Sequence, residues 1–202
     1  MGINPRSLFL TTPDGNLLFD VNALADPETV ALMQDLGGVQ AIAASHPHFY
    51  GAMCDWSAAF GAAPIHLPAA DRRWVLRDEA PIEWWEEERE VLPGLRLVRC
   101  GGHFDGSAVL YWAAGAQGRG VLLTGDTIMV VPGSRWVSFM RAYPELIPLP
   151  AATVRAIAGR LQPLRFDRIY GNPGWEKVIE GGAAEIVQRS AERYVRWLEG
   201  RA

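Results

Sequence analysis

Three short apolar runs in this chain each stop at a small polar cluster, and that recurrence constrains its fold more than any other feature. AIAAS (41–45) runs into His46-Pro47-His48, LRLVRCGG (95–102) into His103, and GVLLTG (120–125) into Asp126. Short apolar runs bounded by glycine, proline or serine read as buried strands. Strand ends gathered on one edge of a sheet hold polar side chains on rigid backbone while the loops leave room for a ligand.

The remaining segments supply the layers such a sheet needs. SLFLTT (7–12) and LLFDVN (17–22) flank the turn Pro13-Asp14-Gly15-Asn16 and predict a hairpin. From Asp26 the spacing of Val30, Leu32, Met33 and Leu36 becomes helical, with Pro27 suited to the first turn and Gly37-Gly38 to the end. A helix is expected from Gly51 to about Phe60 and strands at 63–67, 107–114 and 166–171. Residues 152–161 and 183–200 read as helices, the second amphipathic; EEERE (86–90) reads as a solvated face. Strands and helices mixed in this way predict an α+β chain of sheet layers covered by helices, in a single domain over residues 1–202.

Composition narrows the function classes. Hydrophobic residues are 49% and charged residues 21% of 202, the balance of a compact globular chain. A net charge of −4 advertises no basic face, so no nucleic-acid partner is expected. The start, MGINPRSLFLTTPDG, has too short an apolar stretch for a signal or a span, which predicts a cytoplasmic protein with no membrane partner. Cys54 and Cys100 have no metal or redox spacing and read as buried thiols.

The chemistry rests on the histidines. Imidazole nitrogens suit zinc, copper, iron or nickel, and two histidines one residue apart in extended or turn backbone face the same side. His46, His48 and His103 form a three-imidazole set, with Asp126 either a fourth ligand or a group that orients water and acts as base. His66, within APIHLP and without a polar neighbour, reads as a structural histidine.

The succession LLFDVN, ASHPHFYGAM, CGGHFDGSAVLYW, VLLTGDT and RIYGNPGW resembles the metallo-β-lactamase superfamily from about Leu8 to Trp175. The resemblance implies a four-layer αββα sandwich, one divalent metal ion (zinc first, iron or manganese as alternatives) and a small-molecule substrate. GHFDGS (102–107) matches the superfamily's G-H-x-x-G-S and TGD (124–126) its G-D; Asp20 falls on its supporting aspartate. Against H-x-H-x-D-H the chain reads His46, Pro47, His48, Phe49, Tyr50, Gly51, so aspartate has become tyrosine and the third histidine glycine. Asn172 stands where the last histidine is expected.

The resemblance therefore implies one complete metal position, held by His46, His48 and His103, and a second that keeps only Asp126. Three neutral imidazoles and a water make a site that supplies hydroxide near neutral pH. Tyr50 is a candidate oxyanion donor, or a filler of the lost position; Asp105 is a candidate catalytic carboxylate, or a solvated turn residue. Trp175 is placed at the site mouth, while most other tryptophans are expected in the core. The implied function is a hydrolase of a small ester, thioester or lactone, the alternative being an inactive relative that binds a ligand or partner in the same pocket.

Overall fold

The computed structural model describes residues 6–133, 135–171 and 178–201. Five strands form a first sheet in chain order: β1 (Leu8–Thr12), β2 (Gly15–Phe19), β3 (Ala41–Ala43), β4 (Ile65–Pro68) and β5 (Ile82–Trp85). The first pair is antiparallel and the rest are parallel. β6 (Glu88–Leu92), β7 (Leu95–Arg99), β8 (Ala108–Trp112) and β9 (Val121–Gly125) build a second sheet. Two short pairs follow: β10 (Met129–Val130) with β11 (Val137–Ser138), and β12 (Met140–Ala142) with β13 (Ile147–Pro148). β14 (Arg168–Gly171) and β15 (Val178–Ile179) complete the second sheet in the order β15-β14-β9-β8-β7-β6.

Side-chain alternation assigns each face of each sheet. Leu17, Phe19, Ala41 and Ala43 of the first sheet pack with Leu95, Leu97, Leu110 and Leu123 of the second, and the two sheets meet through this cluster. The residues between them point outward. Leu18 and Ile42 join Met33 of α1 (Pro27–Asp35) and Met53 and Trp56 of α2 (Met53–Ala59). Beyond the one-turn element α3 (Gly115–Gly118), α4 (Ala151–Leu161) and α5 (Ala183–Leu198) cover the other sheet, with Val98, Val109 and Leu122 packed on Val154, Ile157, Val187 and Ala191. The layers run helix, sheet, sheet, helix, as expected.

Local chemistry accounts for the element boundaries. The Asp26 side chain accepts a hydrogen bond from Thr29 N at 2.8 Å, capping α1 with Pro27 in its first turn. The first hairpin is tighter than expected: Thr12 pairs with Gly15, so Gly15 and Asn16 belong to the strand. Gly15 manages this at φ +131°, a conformation that favours glycine. β5 and β6 occupy the Trp-rich and acidic stretch, and Glu88, Arg89 and Glu90 remain exposed there. Among the described residues no helix is long and apolar enough to cross a membrane.

Candidate metal centre

The first sheet delivers His46 just beyond β3, and the turn Pro47–Phe49 carries His48. The second delivers His103 after β7 and Asp126 after β9. A backbone bond ties the two sheets at this edge: Ala108 N donates to the Ser45 carbonyl at 2.8 Å. Gly125 permits a close approach, since a Cβ on it would sit 2.1 Å from Ser45 Oγ, and its φ is +49°.

One ligand atom from each of His46, His48, His103 and Asp126 lies within 4.8 Å of the others. His46 Nε2 and His48 Nδ1 are 3.1 Å apart, close to the roughly 3.3 Å expected for two nitrogens on one tetrahedral zinc ion. Asp126 Oδ2 lies 3.5 Å from His46 Nε2 and 3.7 Å from His103 Nε2. His103 Nε2 is buried and has no hydrogen-bond partner among the described residues. An orphaned imidazole nitrogen aimed at two other imidazoles and a carboxylate fits a metal ligand set.

The far side of each ring fixes its role. His103 Nδ1 donates to the Arg141 carbonyl at 3.0 Å, which leaves the Nε2 lone pair facing the cluster. His46 Nδ1 lies 2.8 Å from Ser45 Oγ, which lies 2.9 Å from Asp20 Oδ2; Ser45 N also donates to Asp20 Oδ1 at 2.6 Å. With Asp20 ionised, Ser45 donates to it and accepts from His46, so His46 also presents an Nε2 lone pair. Burial raises the Asp20 pKa to about 7, although the two Ser45 donors oppose the shift.

Burial likewise pushes His46 well below its ordinary value of 6.5, helped by His103 and His48. His103 is lowered by burial and by His48, against the opposing charge of Asp126. Both rings are thus held neutral, the form that binds metal. Phe104 packs on all three imidazoles, with centroid separations of 5.8 Å to His46, 5.1 Å to His48 and 4.9 Å to His103.

Comparison with known proteins places this geometry in a fold. No protein-family model matches the chain. The uncharacterized protein YmaE of Bacillus subtilis (strain 168) is 47% identical over 184 residues; that covers 91% of this chain and 66% of YmaE, just under two thirds of the relative's length. Among solved structures, a B3 metallo-β-lactamase with an active-site glutamic acid superposes with a TM-score of 0.64 at 17% identity, covering 96% of this chain and 82% of that one. The di-iron-bound form of TTHA1623 gives 0.62 at 23% identity, covering 92% and 93%. A quorum-quenching N-acyl homoserine lactone hydrolase gives 0.54 at 23% identity, covering 81% and 77%.

This chain has the metallo-β-lactamase fold.

Within that fold the remaining candidates have partners of their own. The Tyr50 hydroxyl donates to Asp71 Oδ2 at 3.1 Å, and its ring is part of the core around α2. Burial first, then Asp71, pushes the Tyr50 pKa up. Asp105 is 63% exposed and pairs with Arg73 at 2.8 Å. His66 lies outside the cluster, 3.5 Å from Glu83. Asn172 and Trp175 lie outside the described residues.

Groups with little signal in the sequence support the cluster from behind. Asp71, fully buried, accepts from Tyr50 and from Gly106 N at 2.8 Å, joining the HPHFY segment to the GHFDGS loop. A Cβ on Gly106 would fall 2.5 Å from the Asp71 carboxyl, which accounts for the glycine in that loop. Tyr143 donates to the Asp126 carbonyl at 2.7 Å, with its ring 5.5 Å from His103. The sequence signal for Asp71 is weak, a lone aspartate in AADRRW beside two arginines, where a solvated turn is the ordinary reading.

Proposed function

We propose that this chain is a metal-dependent hydrolase that holds a single divalent ion, zinc first, and acts on a small ester, thioester or lactone. The carrying observation is the convergence of three imidazoles and one carboxylate, with His103 Nε2 buried there and without a hydrogen-bond partner among the described residues. When bound, such an ion polarises a carbonyl and lowers the pKa of a coordinated water to about 7.

The chain's own residues set up the rest. Ser45 with Asp20, and the Arg141 carbonyl, hold His46 and His103 with Nε2 facing the cluster. Asp126, whose side chain keeps 20% exposure, is placed to orient water and take a proton from it. The aromatic Phe104, backed by Trp74 at 5.6 Å, limits water on one side of the imidazoles. A single ion is supported by Tyr50, which puts a hydroxyl bonded to Asp71 where the resemblance expects a ligand carboxylate. The lactone hydrolase among the structural neighbours supports an ester-like carbonyl as the target. A cytoplasmic setting and a small-molecule substrate belong to the same proposal.

The second reading, a catalytically silent relative that binds a ligand in the pocket, draws on the same bond, because a Tyr50 hydroxyl donated to Asp71 is not poised for an oxyanion. Turnover of aryl esters, thioesters and lactones by zinc-loaded protein separates the two. Hydrolysis abolished in a folded His48→Ala variant supports the enzyme. Full zinc occupancy with no turnover across the panel puts the binding protein first.

A further inference from the structure

Arg141, in β12, sits against the metal cluster in two ways. Its carbonyl accepts from His103 Nδ1, and its Nη1 donates to the carbonyls of Gly102, at 3.3 Å, and His103. Its guanidinium carbon lies 5.8 Å from the centroid of Phe104, the ring that touches His46, His48 and His103. Arg73, stacked on the Trp74 ring that contacts Phe104, is paired with Asp105. Among the described residues Arg141 has no carboxylate partner, and its Nε–Nη2 edge has no hydrogen bond, although the residue is exposed. That edge is the planar two-donor fork that matches the two oxygens of a carboxylate.

We infer that Arg141 is the anchor for an anionic group of the ligand, and that the site takes small carbonyl compounds carrying a carboxylate. This inference rests on the metallohydrolase reading. The Nη1 side of the guanidinium is held by backbone, so the free fork is fixed in place before the ligand arrives, which limits the ordering cost on binding. A ligand group engaging the cluster and a carboxylate on Arg141 would straddle Phe104.

Binding of thiol probes to zinc-loaded protein, followed by calorimetry with zinc content measured in parallel, tests this without any turnover. Mercaptoacetate, 3-mercaptopropionate and 4-mercaptobutyrate are each compared with the corresponding neutral amide. In the wild type the best-fitting acid is expected to bind at least about ten-fold more tightly than its amide. In Arg141→Met the preference falls to about two-fold or less; Arg141→Lys, which keeps charge without the fork, lies between. An acid-over-amide preference that is absent in the wild type, or unchanged in Arg141→Met at equal zinc content, overturns the inference and leaves the metal site standing. Failure of the wild type to take up zinc overturns both.

Discussion

The segment HPHFYG ends in two different environments within five residues. His46 and His48 turn ring nitrogens onto a point they share with His103 and Asp126. Tyr50 turns its hydroxyl onto buried Asp71, which also takes Gly106 N. The first half faces His103 Nε2, a buried nitrogen with no hydrogen-bond partner among the described residues; the second closes its own hydrogen bonds. The contrast teaches that one loop can keep a ligand set on one side while converting the other into internal support, and that the support still braces the ligand-bearing loops.

Removing the brace should have the largest effect. Asp71→Ala strips the acceptor from two buried donors, at about 1–3 kcal/mol each; a fall in stability of that order in urea unfolding is expected. A change within about 0.5 kcal/mol would mean the two halves are not linked through Asp71.

Ser45→Ala attacks the other half. It removes the hydroxyl between Asp20 and His46 Nδ1 and should weaken zinc binding about 10–100-fold, read by competition with a chelator. Unchanged affinity would show that His46 needs no such support.

Tyr50→Phe should be milder, about 1–2 kcal/mol of stability with zinc stoichiometry unaltered. Loss of zinc in this variant would place Tyr50 with the ligands and erase the distinction between the halves.

The smallest effect concerns His66, a buried imidazole outside the cluster. Its pKa is lowered from 6.5, chiefly by burial, partly offset by Glu83. A lowered folded pKa contributes stability that is present above about pH 6.5 and lost as pH falls toward the folded value. Melting temperatures of His66→Gln between pH 7.5 and 5 should therefore fall less steeply than those of the wild type, with zinc content equal. A steeper fall contradicts the burial assignment.

How far the site was legible in the sequence depended on the kind of signal. His46, His48, His103 and Asp126 each follow an apolar strand, and side chains at strand ends inherit the sheet's geometry, so motif spacing carried them. The four layers followed for the same reason: Leu17 and Phe19 face one way and Leu18 the other. Asp71, Arg141 and Tyr143 stand on segments whose pattern is neither alternating nor helical; β10 to β13 are two or three residues each and leave no periodic trace. Their partners lie 17 to 38 residues away in sequence, at Gly106, Tyr50, His103 and Asp126, and contacts of that kind are set by the fold.

The proposed function depends on one metal ion held by His46, His48, His103 and Asp126. Metal content per chain by plasma mass spectrometry, on protein without a histidine tag, tests it directly in the wild type and in His46→Ala/His48→Ala. About one zinc or iron per wild-type chain, lost in the folded double variant, is the expected result. Two ions per chain, or none after incubation with zinc, would contradict it.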